Sequence, residues 1–241
     1  MLNQDSMTPL YVQLMNEVEK SIKNGEYKPG DKLLTETEMA KKYGVSLITV
    51  RKAIGFLMEE GLVVRKQGKG TFVTKPKLSR NMKKLQSFSE MCEQMGVEPG
   101  AKMLENRLVT AEGKVAEALG IEPGSNVVYI SRLRYADHEP VQIEKSYFPL
   151  KYAFLLDAKF DDNSLFDHLR EKSGAKVVSS EKRIELCRAT AEEAELLGVK
   201  KGDAMLCVRS TAFDKNGEPM YAGVQIINGD RFTLYVYETD Q

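Results

Sequence analysis

The sequence predicts an α+β protein built in two parts, and three observations carry that prediction. The run Thr35 to Val73 reads as helix, tight turn, helix and then a hairpin with a Gly-rich tip. Further on, two stretches repeat one another as helix, Gly turn, strand, hairpin and strand. Charge divides the chain between the two parts: residues 1–84 hold 16 basic and 9 acidic side chains (+7), the rest 19 and 26 (−7). The 241-residue chain is formally neutral, so the bias is local, and it is long enough for two modest domains. A basic head on an acidic body points to a head that meets a polyanion and a body with another task.

The bulk properties exclude several classes. A 42% hydrophobic and 29% charged composition is that of a globular protein, not a disordered one. No apolar run approaches the ~20 residues of a membrane helix, so no membrane partner is expected. Met1 to Thr8 lacks a basic-then-apolar signal pattern. Cys92, Cys187 and Cys207 are odd in number and far apart, and only His138 and His168 could join them at a metal. Neither a metal site, a cofactor nor a disulfide framework is expected, and the cytoplasm is the expected compartment.

The head begins at Thr8-Pro9, read as an N-cap followed by Pro at the first helical position. Leu10, Leu14, Val18 and Ile22 then recur every four residues, one apolar helix face. Thr35 can cap the next helix, whose first turn carries Glu36 and Glu38 and whose buried side is Met39, Ala40 and Tyr43. Gly44 supplies the turn, Ser46 caps a further helix burying Val50, Ala53, Ile54 and Leu57, and Gly61 ends it. Leu62–Lys66 and Thr71–Val73 flank the tip Gln67-Gly68-Lys69-Gly70. Its two glycines allow the positive φ angles of a tight hairpin and close approach to a phosphate chain. From Gly61 to Lys84 there are eight basic residues and no acidic one. In order and length this is a helix-turn-helix with a wing, and double-stranded DNA is the expected partner.

Residues 76–84, around Pro76, lack periodicity and read as an extended linker between a head over 1–75 and a body over 85–241. In the body, Val115–Gly124 lines up with Glu193–Gly202, and Val127–Tyr135 with Met205–Phe213. Strands at Met103–Val109 and Val177–Leu186 precede the two helices, which predicts an antiparallel sheet with pseudo-twofold symmetry. The copies differ where function can sit. Arg132 and Arg134 align with Ser210 and Ala212, and they share one strand face with Val128 and Ile130. Two like charges on a partly buried face need an anionic neighbour, either a bound anion such as phosphate or a salt bridge, for example with Glu144. Ser164 starts a helix at Leu165, either as a simple N-cap or as part of an anion site.

The head resembles the winged helix-turn-helix of GntR-family transcription regulators. The resemblance rests on Tyr11-Val12-Gln13, Pro29–Leu33, Val45-Ser46, Thr49–Ala53, Glu60-Gly61-Leu62 and Gly68–Val73. It implies DNA contacts from Thr35, Ser46, Thr49 and Arg51, together with the wing tip Lys66, Gln67, Gly68 and Lys69. Two arginines usual in the family are replaced by Thr37 and Leu47. Lys41, Lys42 and Lys52 are candidate phosphate contacts instead. Leu47 is expected to pack against its own domain, with a thymine methyl as the alternative.

The body resembles the UTRA effector-binding domain of the HutC branch, which has a chorismate-lyase-like fold. Leu85–Glu90, Ile130–Arg134, Ile143-Glu144 and Gly229–Phe232 carry that match. It implies that Ser89, Arg132, Arg134 and Ser164 hold a phosphate and that Glu144 contacts a sugar. Phe166, Tyr221 and Ile227 replace Tyr, Glu and Tyr of amino-sugar phosphate binders. Phe166 and Tyr221 are therefore expected to shape a site for a different phosphorylated small molecule. The function implied is a homodimeric DNA-binding regulator, a repressor released by such an effector from a near-palindromic operator. No catalytic residue is assigned. The alternatives are a chorismate-lyase-like enzyme, a sequence-tolerant architectural DNA binder, or an effector that is a non-phosphorylated small acid.

Overall fold

The structure, a computed structural model, describes residues 2–4, 6–66, 68–75, 77–161 and 164–239. The chain divides into two compact units, Met1–Pro76 and Lys77–Gln241.

The first unit packs α1 (Leu10–Lys23), α2 (Glu36–Tyr43) and α3 (Leu47–Glu59) against the hairpin of β1 (Val63–Lys66) and β2 (Gly70–Val73). The four-residue spacing of α1 buries Leu14 and Val18, while Ile22 packs at the margin. The helix starts one residue later than the Thr8-Pro9 reading has it. Pro9 itself stands at the cap with an extended ψ of 142° and no side-chain cap bond. Gln13 Nε2 donates to the Thr8 carbonyl at 2.7 Å, which ties the segment before the helix to its first turn. Thr35 forms a capping box: its hydroxyl accepts from the Glu38 N–H, and the Glu38 carboxylate accepts from the Thr35 N–H at 2.7 Å. Gly44, at φ 67°, turns the chain into the Ser46 cap of α3. Val50, Ala53, Ile54 and Leu57 are all buried, as their spacing requires.

The second unit is built on a six-stranded antiparallel sheet. Its strands are β4 (Pro99–Thr110), β5 (Asn126–Ala136), β6 (Glu139–Pro149), β7 (Ser179–Arg188), β8 (Ala204–Phe213) and β9 (Pro219–Ile227). The order β4-β5-β6-β9-β8-β7 sets the third strands of the two copies side by side, which is the pseudo-twofold arrangement the repeat predicts. The helix of each copy crosses to the other: α5 (Gly113–Leu119) packs on β9, and α7 (Ala191–Leu197) on β6. The opposite face is covered by α4 (Phe88–Gln94), a 3-10 segment over Leu150–Asp157, and α6 (Leu165–Ser173). All three cysteines are free, with Cys92 and Cys207 in the core.

The linker reading is corrected by the structure. Residues Leu78–Asn81 form β3, which pairs in parallel with β10 (Phe232–Tyr235). Leu78 and Arg80 point inward while Ser79 is exposed. Four residues are too few to display a strand period, and the like charges around them mimic a solvated tether. Leu78 instead packs with Phe88 and Phe232, and only 1% of its surface is exposed.

Leu78→Ala is therefore expected to lower the stability of the second unit by about 2–5 kcal/mol, read by urea unfolding. A change of only a few tenths would mean that residues 78–81 are a connector after all.

Candidate functional site

Two surfaces carry the candidate residues. The first is the start of α3 and the wing. Thr35 and Ser46 are exposed cap residues, and the Ser46 Oγ lies 2.9 Å from the Thr49 hydroxyl. Glu36 links three elements: its carboxylate accepts from Arg51 on α3 at 2.7 Å and from Arg65 on β1 at 2.5 Å. Arg51 is thereby oriented while most of its side chain stays in solvent. Lys52 is exposed, and its ammonium lies 3.9 Å from the Tyr11 ring centroid, a cation–π contact back onto α1. Lys66 leans on the Phe72 ring at 5.1 Å. Gly68, at φ 72°, and Lys69 are exposed at the tip, and Gln67 lies outside the described residues.

Leu47 is corrected as well. It is 41% exposed and Ile48 is 77% exposed, so neither packs into the core. Both stand in the first turn of α3: Leu47 continues the edge of the stripe of Val50, Ala53, Ile54 and Leu57 at the open end of the helix, and Ile48 lies off it. The sequence reading missed Ile48, although its position beside Leu47 and outside that stripe is the signal.

The second surface lies on the sheet face under α4 and α6. Sheet register sets Arg132 opposite Glu144, and Glu144 opposite Gln225. Arg132 donates to Glu144 Oε2 at 2.8 Å, and Arg134 Nη1 lies 3.8 Å from the same oxygen. Gln142 donates to the other carboxylate oxygen at 2.8 Å, and Arg134 Nη2 to Ser89 Oγ at 3.0 Å. The salt-bridge alternative for the two arginines is thus present, but it does not balance the charge. Arg80 also reaches the group, donating to Gln225 Oε1 at 3.4 Å and to the Gln86 carbonyl at 3.1 Å. Among the described residues, three guanidinium groups then gather about one carboxylate, and all four residues are at most 9% exposed.

The protonation equilibria follow from that excess. Burial alone would raise the Glu144 carboxyl, but Arg134, Arg132 and Arg80 together outweigh it and hold it below the ordinary value. Burial presses the Arg132 guanidinium below its usual value in spite of Glu144. Burial, with the nearby Glu144 charge adding to it, pushes the Tyr221 hydroxyl up to about 12, so Tyr221 stays neutral.

Two adjoining cavities, of about 190 and 50 Å³, open beside this group and share Arg80, Gln86, Ser87, Phe166 and Tyr221 in their walls. Ser164 lines the larger and Glu144 the smaller, while Ser89, Arg132 and Arg134 line neither. Phe166 packs on Tyr221 with ring centroids 5.2 Å apart. Ser164 is the N-cap of α6, its Oγ accepting from the Asp167 N–H. Arg80 and Lys182 are wall residues that the sequence reading missed, the first because it fell in the apparent linker. Among the described residues, three buried donors here have no hydrogen-bond acceptor: Arg80 Nε, Arg134 Nε and Gln86 Nε2. Donors without acceptors beside a cationic cavity suit an anion.

A winged helix-turn-helix joined to an antiparallel-sheet unit with an open cationic cavity defines a ligand-responsive, DNA-binding transcription regulator, not an enzyme. Residues 10–73 match the model of the bacterial regulatory proteins of the gntR family, and residues 94–233 match the UTRA domain. The chain belongs to the GntR family of bacterial regulatory proteins, in its HutC branch. It is similar to the HTH-type transcriptional repressor NagR of Bacillus subtilis strain 168, at 34% identity over 98% of this chain and 97% of NagR. It is also similar to the probable fructoselysine utilization operon transcriptional repressor of Escherichia coli K12, at 31% identity over 94% and 93% of the two chains. The crystal structure of PhnF from Mycobacterium smegmatis shares the fold, with a TM-score of 0.68 at 24% identity over 95% of this chain and 100% of PhnF.

Glu144→Gln removes the only carboxylate hydrogen-bonded in this arginine group, among the described residues, and should cost about 3–5 kcal/mol at neutral pH. Because its folded-state value is lowered from 4.5, the contribution is present above that pH and lost as pH falls through the folded value. The wild-type and variant stabilities should therefore converge in acid. Parallel stability curves down to pH 2 would contradict the charge role assigned to Glu144.

Proposed function

We propose that this protein is a homodimeric, cytoplasmic repressor that binds a near-palindromic operator and is released by a small phosphorylated, phosphosugar-like metabolite. The observation that carries the effector reading is the set of acceptor-free donors on Arg80, Arg134 and Gln86, buried beside a cavity that already holds excess positive charge. A phosphate supplies both the charge and several acceptor oxygens. The α6 start with Ser164, which lines the same cavity, adds backbone N–H groups favourable to an anion. Arg132, Arg134 and Ser89 then act from behind Glu144 and exchange part of their bonding for the ligand. Phe166 and Tyr221 offer an aromatic wall in place of extra ligand hydrogen bonds.

On the DNA side, Thr35, Ser46, Thr49, Arg51 and the wing tip at Gly68 and Lys69 form the proposed contact surface. Phosphate contacts position the unit, and the exposed Leu47 and Ile48 offer methyl-rich contacts suited to thymine. Two heads on one duplex call for two copies of the chain. The edge strand β7, with Ile184 and Leu186 exposed, presents unpaired backbone groups to a second copy.

The test is binding of the full chain to its own upstream DNA, followed by fluorescence anisotropy with a panel of sugar phosphates. A phosphorylated compound should weaken operator binding about 5–150-fold. Arg134→Lys, which keeps the charge but loses the planar fork, should bind operator and respond at least ten times more weakly to that compound. Release by a non-phosphorylated acid, with every phosphate silent, would replace the phosphate reading by the small-acid one.

A further inference from the structure

The buried cations beside the two cavities fall into two groups, and a phosphate near the first leaves the second without a counter-ion. The first group is Arg132 with Arg134, within 2.8 and 3.8 Å of Glu144. The second is Arg80 with Lys182. Arg80 is 8% exposed, bonds only to the neutral Gln225 and Gln86, and keeps its Nε without an acceptor. Lys182 enters from β7 at the far edge of the sheet, lines the same cavity and is half-buried. No described residue hydrogen-bonds or ion-pairs with its ammonium, and burial together with Arg80 lowers its pKa.

The floor between the groups is left open by small side chains. In sheet register Lys182 stands opposite Ser210, Ser210 opposite Gly223, and Gly223 opposite Ser146. A Cβ on Gly223 would lie 2.9 Å from Ser210 Oγ, so the position accepts nothing larger without a shift. The pseudo-twofold makes the point sharper: Ser210 and Gly223 occupy in the second copy the paired positions that Arg132 and Glu144 occupy in the first. One copy supplies charge and the other supplies room.

We propose that the effector carries two acidic groups, a phosphate reaching past the cavity wall toward Arg134 and a second carboxylate or phosphate against Arg80 and Lys182 in the larger cavity. This rests on the phosphate reading above and names the ligand class within it.

The experiment is calorimetric titration of the full chain with two matched pairs. 6-Phosphogluconate and sorbitol 6-phosphate differ only at the terminal carboxylate, and fructose 1,6-bisphosphate and fructose 6-phosphate only in the second phosphate. The doubly acidic member of at least one pair should bind at least tenfold tighter, and which pair responds separates a carboxylate from a phosphate. Lys182→Met should bring that pair to equal affinity. Equal behaviour within both pairs, whether all bind or none does, overturns the inference, as does an advantage that survives Lys182→Met. Gluconate binding as tightly as 6-phosphogluconate would instead overturn the phosphate reading on which it rests.

Discussion

Three buried guanidinium groups converge on one carboxylate, and the organisation of the second unit answers to that imbalance. Burying an ion is expensive unless it is paired and hydrogen-bonded. Arg132 meets that condition through Glu144, and Arg134 in part through Ser89. Arg80 does not, since its partners are neutral. The sheet nevertheless holds these groups in place, because each sits on a strand whose other residues are core. Val128 and Ile130 fix the face of β5, and Leu78 anchors β3. Core packing thus stabilises a polar cluster that is incomplete by itself, which is the usual condition of a binding site.

The duplication explains how one sheet provides both walls and space. The two copies share their fold, so their corresponding residues fall at related places on one face. Arg132 and Glu144 fill their positions with charge, whereas Ser210 and Gly223 leave theirs nearly empty. The aromatic pair Phe166 and Tyr221 closes one side, and α6 brings Ser164 to the rim. In the first unit a similar economy centres on Glu36. One carboxylate orients Arg51 on α3 and Arg65 on β1, so the second helix and the wing of the winged helix-turn-helix are held in one geometry.

Much of this was legible in the sequence because it is periodic. The helix spacing of Leu14 and Val18, the caps at Thr35 and Ser46, and the repeated helix–turn–strand pattern each state a local geometry. The repeat implied a pseudo-twofold sheet, but that the copies meet through β6 and β9 rather than through their first strands came only with the structure. What was not legible was set by contacts distant in sequence. Arg80 looked like part of a tether, because its neighbour β10 lies some 150 residues away (Leu234 opposite Arg80). Lys182 lay inside the predicted strand Val177–Leu186 with nothing in the sequence to single it out. Nor did the sequence show that Lys52 rests on the ring of Tyr11. Leu47 looked like a residue packed on its own domain, yet as the first residue of α3 it stays 41% exposed.

The central claim is that the cation excess around Glu144 is a receptor for an anion and not a stable end in itself. Its most direct test is a crystal of the full chain soaked in tungstate, a strongly scattering phosphate mimic, with its position read from anomalous density. The account predicts a peak within hydrogen-bond distance of the Arg80 or Arg134 guanidinium and the start of α6. A cavity without such density, with Arg132 and Arg134 still held on Glu144 and Ser89, would contradict it and make the cluster a purely structural network.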